Sequence, residues 1–293
     1  MTATMTIDDM ITRHDEEPEA VAEALLALVA HDVREDDAAR CSWLANHVLG
    51  EKLDRWSEAF DVCTLCAGSS RAPNALRNRA VAATLAGRPL DAWTLERTIA
   101  EVTSASPRLV SLATRLAILQ HVVHSEAHGR PLPALTACLD ELRDFESVQP
   151  LGAMVGAGLN NIVSALLDRA KHRVDDPAWR SALRAAAESA RRAWREAGSW
   201  MQHERADYLV ALVCNASADW DAALAAAQSG LATIEANGSE DVDRAFLLLE
   251  AGRAHRGAGR PDECESMRAA AFALAAAFEE PSLRPWFDER AAA

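Results

Sequence analysis

The triplet Gly-Arg-Pro occurs three times in this chain of 293 residues, beginning at Gly87, Gly129 and Gly259. Each triplet follows a run typical of a helix and precedes another such run. Glycine can take the left-handed conformation that ends a helix, and proline fits the first turn of the next helix. The intervals are 42 and 130 residues, and the second is close to three steps of about 43. The spacing therefore predicts a helical hairpin that repeats along the chain.

Three weaker copies extend this repeat. The stretches "KHRVDDPAWRSALRAA" and "CNASADWDAALAAAQSGL" fall at the expected steps, and a turn at Gly50 precedes Gly87 by 37 residues. We therefore predict an all-α fold, a right-handed α-solenoid of about six helix–turn–helix repeats. The predicted hairpins run 37–67, 73–103, 107–145, 151–198, 200–237 and 242–279.

The ends of such a stack need covers, because terminal repeats have no neighbour over their apolar faces. A helix at 19–33 is predicted to cap the front, and "PSLRPWFDER" the rear. We predict that residues 1–18 form a flexible N-terminal segment and that residues 19–293 form a single domain.

The pattern resembles the tetratricopeptide-repeat superfamily over most of the chain. The matching features are the turn glycines and the small residues at fixed offsets from them, namely Ala80, Ala92, Ala134 and Gly252. The period is longer than the 34 residues of that family, and its aromatic positions are mostly absent. In this respect the chain also resembles HEAT-type repeats and the helical sensor arrays of bacterial transcription activators. The resemblance implies an inner surface lined by the first helix of each hairpin, along which peptides bind.

Composition supports helices and excludes several classes of protein. Apolar residues make up 49% of the chain and aromatic residues 5%, and alanine and leucine dominate the apolar set, which favours closely packed helices. The net charge of −14 argues against a nucleic-acid partner. The sequence has no signal-like start and no apolar run of membrane-spanning length, and its six cysteines are scattered, so we expect a cytoplasmic protein without a membrane partner. Only Lys52 and Lys171 are lysines among 30 basic residues, a bias that indicates genomic composition of a bacterial type.

Three histidines are the clearest candidates for chemistry. His121, His124 and His128 share one face of a predicted helix, and such spacing can bind a divalent metal if another ligand completes the site. The alternative is a polar helix face near the negative end of the helix dipole. We otherwise expect no cofactor.

Other motifs favour packing over chemistry. Cys63 and Cys66 form a lone C-x-x-C without a second pair, so they are interpreted as core residues. The glycines of "LGAMVGAGLNN" lack a preceding strand and are interpreted as helix contacts. The tryptophans that follow turns are also interpreted as packing residues: Trp56, Trp93, Trp179 and Trp220.

The first helices of the hairpins supply the predicted ligand groove. Arginine can pair with carboxylates, and asparagine can hold a peptide backbone. The alternative is that these are ordinary solvated side chains. The candidate groove residues are Asn74, Arg77, Val123, Asn160, Asn161, His203, Phe246, Arg253 and Arg256.

The sequence thus predicts a non-enzymatic helical repeat protein that binds a protein or peptide as a regulatory or assembly adaptor. The alternative is a metal-dependent enzyme or small-molecule sensor that uses the three histidines. No catalytic motif is evident. The sequence leaves open whether the chain forms a homodimer through a capping face.

Overall fold

The computed structural model describes residues 5–29, 33–123, 130–169, 176–280 and 283–292. Within these ranges 81% of the structure is helical and no strand occurs, so the prediction of an all-α fold is confirmed. The helices are α1 Ile7–Arg13, α2 Pro18–Val29, α3 Ala38–Leu44, α4 Trp56–Ala67, α5 Pro73–Leu85, α6 Pro89–Thr103, α7 Pro107–Val122, α8 Pro131–Leu142, α9 Gly152–Arg169, α10 Pro177–Ala197, α11 Trp200–Ala216, α12 Trp220–Asn237, α13 Asp241–Gly257, α14 Pro261–Ala275 and α15 Leu283–Ala292. A short 3₁₀ turn, Glu35–Asp37, precedes α3, and a π-helical segment, Ala45–Lys52, follows it.

The chain forms two compact units, Met1–Ala134 and Leu135–Ala293, where the sequence predicted one domain over 19–293. In unit 1, α5 packs against α4 and α6. In unit 2, α11 packs against α12, and α13 packs against α14. Four predicted hairpins, 73–103, 151–198, 200–237 and 242–279, thus correspond to packed pairs of consecutive helices, whereas the predicted hairpin 107–145 contains the boundary between the two units.

Three of the turns inside the predicted hairpins share one backbone geometry. Gly87 and Gly259 have φ of 72° and 73°, the left-handed conformation predicted for them, and Ala218 takes the same place with φ of 58°. In each turn the N–H of the next residue donates to a carbonyl five residues back, as from Arg88 to Ala83 at 2.8 Å. These bonds satisfy carbonyls that would otherwise lack partners at the helix end.

The first turn differs from its prediction. Gly50 lies inside the π-helical segment, and the chain reverses after it, where Asp54 has a left-handed φ of 54°. A Cβ on Gly50 would lie 2.3 Å from the Trp56 ring, so glycine here permits close approach of the indole. The N–H of Leu53 donates to the carbonyl of Val48 at 3.2 Å, the five-residue step of a π-helix.

The N-terminal segment predicted as flexible contains a helix. Thr6 and Asp9 form a reciprocal capping box at the start of α1, which satisfies two backbone donors. Met10 is fully buried, so α1 is anchored to unit 1. The predicted front cap corresponds to α2.

The rear of unit 2 is covered by α15, as the sequence predicted. Phe287 is fully buried and packs edge-on against Phe246, Phe272 and Phe278. Arg253 donates to the carbonyl of Arg290 at 2.8 Å and so holds the end of the cap. Among the described residues, no helix carries an apolar stretch long enough to cross a bilayer.

Candidate functional site

Two of the predicted groove residues lie in the core. Phe246 is 2% exposed because α15 covers it, with the Trp286 ring 4.2 Å away. Val123 is 1% exposed at the end of α7. The sequence placed both side chains on a ligand surface, and that expectation is wrong, because packing against neighbouring helices removes them from solvent.

Two of the predicted arginines make hydrogen bonds within the fold and are partly buried. Arg253 binds Glu250 at 2.9 Å in addition to the end of α15. Arg77 is half-buried on α5, donates to Asn78 at 3.3 Å, and has its pKa lowered by burial. Among the predicted arginines, Arg256 is exposed on α13.

The remaining groove candidates are distributed over separate helices. Asn74 is exposed on α5, and Asn161 is exposed on α9, where Asn160 donates to it at 3.3 Å. His203 is half-buried on α11, and its Nε2 atom has no hydrogen-bond partner among the described residues. The predicted groove thus retains exposed polar residues, but its apolar members are part of the core.

Two of the three most exposed large apolar residues of the described chain lie on a surface that the sequence did not single out. Leu90 and Trp93 on α6 are 71% and 63% exposed, and the third, Leu65 on α4, is 68% exposed. Trp93 was predicted to be a packing residue, and its exposure shows that this prediction is wrong. By contrast, Trp56 and Trp179 are buried as expected.

The same face of α6 continues beyond the tryptophan. Residues at steps of three and four share one face of a helix, so Thr94 and Arg97 lie beside Leu90 and Trp93. Both are exposed. The opposite face supplies buried side chains to unit 1, namely Ala92, Leu95 and Ile99. We call the exposed set of Leu90, Trp93, Thr94 and Arg97 the α6 face.

Charges at the α6 face are balanced within the helix. Arg88 contacts Asp91 at 2.7 Å, and Arg97 contacts Glu101 at 3.8 Å. Each pair is a surface pair and contributes little to stability. As a result, the charged groups around Leu90 and Trp93 are already paired with opposite charges.

A second group of side chains joins two distant parts of unit 1. His14 ends α1, Asp15 follows it, and His47 lies on the π-helical segment. The Nε2 atom of His14 is 3.5 Å from Asp15, and that of His47 is 3.8 Å from the other oxygen of Asp15. One ligand atom from each residue lies within 4.8 Å of the others.

Glu51 connects this group to His121. Its Oε2 atom lies 3.0 Å from Nδ1 of His47 and 3.1 Å from Nδ1 of His121. Burial raises the pKa of Glu51, but the hydrogen bonds from His121 and His47 outweigh burial and lower it to about 2. The carboxyl is therefore ionised and accepts from both imidazoles.

The π-helical segment explains why these side chains meet. Its five-residue hydrogen-bond step widens the turn, so residues four and five apart approach one face. His47, Glu51 and Lys52 stand at that spacing. Lys52 contacts Asp15 at 2.7 Å, and this bond lowers the pKa of Asp15 against the opposing effect of burial.

The histidine trio of the sequence is only partly described. His121 is 7% exposed, with its ring edge-on to Trp56 at 5.9 Å. His124 and His128 lie outside the described residues. The metal prediction for the trio stays a prediction, and the sequence missed His14, Asp15, His47 and Glu51 as a group.

The cysteine pair behaves as the sequence indicated. Cys63 and Cys66 are buried and free. Burial raises the pKa of Cys63 to about 12, so its thiol stays protonated at neutral pH. Thiolate is the reactive and metal-binding form, which makes Cys63 a packing residue.

The comparisons with known proteins do not identify a relative. No protein-family model matches the chain, and no curated protein matches its sequence.

Proposed function

We propose that this chain is a non-enzymatic helical repeat protein that binds a protein partner as a regulatory or assembly adaptor, and that the α6 face is its docking surface. The observation that carries the proposal is the exposure of Trp93 and Leu90 on a helix whose other side is rigidly packed. Exposed tryptophan on a preformed helix is typical of binding hot spots, because burying it gains much area at low entropic cost.

The architecture proposed for this role is a stack of helical hairpins within each unit. The recurring turn geometry at Gly87, Ala218 and Gly259 supports a structural repeat of the tetratricopeptide-like kind. We propose right-handed α-solenoid order for the hairpins of each unit, as the sequence predicts. Such a scaffold presents side chains on fixed helices and so lowers the entropic cost of binding.

The chemistry of the α6 face indicates the kind of partner. Its charges are already paired within α6, so the partner needs an apolar pocket for the indole and no strong charge of its own. A fully buried tryptophan removes about 150–250 Å² from water. At about 25 cal/mol per Å², covering the exposed 63% of Trp93 contributes about 2–4 kcal/mol.

Affinity capture from cells that naturally contain the protein tests the proposal. Wild-type bait should retain a partner that Trp93→Ala bait loses, with affinity lowered by about 30-fold for a loss of about 2 kcal/mol. Met201→Ala is the matched control, because Met201 is also an exposed apolar residue, 37% accessible, but lies in unit 2. It should retain the partner.

A third bait separates the α6 face from the predicted groove. Arg256→Glu reverses an exposed charge on the predicted groove surface of α13. A partner lost with Arg256→Glu but kept with Trp93→Ala would refute the α6 face and favour the groove. Binding through the α6 face should also change little with salt, because its charges are internally paired.

A further inference from the structure

We propose that His14, Asp15 and His47 form a binding site for a divalent transition-metal ion in unit 1. This site is distinct from the α6 face and from the predicted His121, His124 and His128 trio. Two imidazoles and one carboxylate with an open position are a ligand set that binds zinc and ferrous iron in proteins.

Hydrogen bonds assign the tautomers of both histidines. Nδ1 of His14 contacts the carbonyl oxygen of Ile11, and Nδ1 of His47 contacts the carboxylate of Glu51 at 3.0 Å. Both partners can only accept, so each Nδ1 carries a hydrogen. In the neutral rings each Nε2 then carries the lone pair that a metal requires.

Each histidine thus has the support that metal-binding histidines have. Such ligands donate their other ring N–H to a carboxylate or a backbone carbonyl, which fixes the ring and raises its basicity. Glu51 does this for His47, and Ile11 does it for His14. Glu51 is therefore a positioning residue in the proposed site.

The second ring nitrogen of His47, Nε2, independently supports a bound cation. This atom is buried and has no hydrogen-bond partner among the described residues. Buried polar atoms without partners are costly and rare in folded proteins. The Asp15 oxygen 3.8 Å away already accepts from Lys52, so a cation held by the other oxygen of Asp15 would give this nitrogen its missing partner.

The distances allow tetrahedral coordination after small side-chain movements. Metal–ligand bonds of about 2.0–2.1 Å place ligand atoms about 3.3 Å apart in a tetrahedron. His14 Nε2 is 3.5 Å from the Asp15 oxygen that Lys52 leaves free, and one ligand atom from each of the three residues lies within 4.8 Å of the others, so closure requires shifts of up to about 1.5 Å. Asp15 is 69% exposed and can turn to make them.

The surroundings of the site are compatible with a bound ion. The Trp43 indole stacks parallel to His47, with ring centres 5.4 Å apart, and meets His14 edge-on at the same distance. Lys52 holds one oxygen of Asp15 at 2.7 Å, and the other oxygen is the one that faces His14. Asp15 can therefore bind a metal through one oxygen while Lys52 keeps the other.

Calorimetric titration of the chelator-treated full chain with Zn²⁺ tests the proposal. We expect saturable binding that includes one site abolished or weakened at least about 100-fold by His47→Ala and by Asp15→Asn. Because Asp15 is solvent-exposed, its variant keeps the test valid even if His47→Ala fails to fold. Glu51→Gln should weaken the same site by about 10–100-fold through loss of ring positioning.

Two control variants locate the ion. His203→Ala changes a half-buried histidine of unit 2 and should leave the affinity unchanged. The double variant His124→Ala, His128→Ala should also retain the site. The proposal is overturned if no Zn²⁺ binds, or if binding survives Asp15→Asn and His47→Ala but is lost in the double variant.

Absorption spectra of the Co²⁺-substituted protein test directly whether Asp15 is a metal ligand, because they depend on the atoms bound to the ion. Substituted Co²⁺ should give ligand-field absorption bands of a low-coordinate site in wild type, and these bands should disappear in folded Asp15→Asn protein. Wild-type bands that persist unchanged in Asp15→Asn would refute the assignment of this carboxylate as a ligand.

Discussion

Replacing Glu204 by glutamine is expected to stabilise unit 2 at neutral pH. The Glu204 side chain is fully buried on α11, and neither oxygen has a hydrogen-bond donor among the described residues. Its pKa is raised to about 9, mainly by burial and in smaller part by a hydrogen bond with the nearby carboxyl of Asp243 and by the charge of that carboxyl. Arg205 contacts Asp243 at 2.7 Å but lies 3.6 Å from Glu204.

The magnitude follows from the two protonation equilibria. The unfolded carboxyl titrates near 4.5, so between pH 4.5 and 9 the folded chain holds a proton that the unfolded chain releases. Stability therefore falls as pH rises through this window, by about 1.4 kcal/mol per pH unit. At pH 7 the accumulated cost is about 3 kcal/mol, and Glu204→Gln should recover much of it because an amide needs no proton.

Thermal unfolding followed by circular dichroism at pH 4 and pH 7 measures this effect. We expect a gain of about 5–10 °C for Glu204→Gln at pH 7 and almost none at pH 4. Glu235→Gln is the matched control, because Glu235 is exposed on α12. Equal melting temperatures of variant and wild type at pH 7, or a gain that is the same at pH 4, would refute the assignment of Glu204 as a buried protonated acid.

Three further predictions concern packing and turns. Phe287→Ala should destabilise unit 2 by about 3–5 kcal/mol in urea unfolding, since it empties the centre of an aromatic cluster; a loss below about 1 kcal/mol would contradict this packing. Gly257→Ala should cost about 1–3 kcal/mol in the same assay, because its Cβ would lie 2.4 Å from the Trp220 ring, and a neutral result would show that the indole can move. Ala218→Gly should raise the free energy of unfolding by a few tenths of a kcal/mol, whereas Gly87→Ala should lower it by about 1 kcal/mol. The reason is that both positions have a left-handed φ, which glycine adopts more easily than alanine. A change of the same sign for both variants would exclude a shared turn geometry.

The helical hairpins were predictable because their signals are local. Two of the turns each consist of a glycine in the left-handed conformation and, two positions later, a proline that begins the next helix. The pairs Gly87–Pro89 and Gly259–Pro261 show this pattern directly in the sequence. The same geometry at Ala218 lacks the glycine, so the spacing of the other copies was needed to find it. The capping box of Thr6 and Asp9 is also a local signal, because its two residues are three positions apart.

The exposure of Trp93 depends on contacts that the sequence does not encode locally. Trp56 and Trp220 each fit against a glycine, Gly50 and Gly257, whose missing side chain makes room for the indole. No glycine of the described residues offers such room to Trp93. Pairs of this kind are separated by up to 37 residues, so position after a turn alone could not distinguish the three tryptophans.

The histidine–carboxylate group was not predictable for a similar reason. His14, His47 and His121 come from three helices, and the π-helical segment that orients His47 and Glu51 has no sequence signature. The histidine trio was visible only because its members are close in the chain. Spatial proximity, which the fold creates, is what identified the other residues.

Site-specific photo-crosslinking in native cells tests the proposed docking surface most directly. A photoreactive amino acid at Thr94 lies on the α6 face and leaves Trp93 and Leu90 intact, while the same probe at the exposed Ser181 of α10 is the control. We predict a discrete crosslinked product with another protein from position 94, its loss when Trp93→Ala is added, and no such product from position 181. Products that are the same from both positions, or that persist with Trp93→Ala, would contradict recognition through the α6 face, and a product of twice the chain's own mass would identify self-association instead of an adaptor.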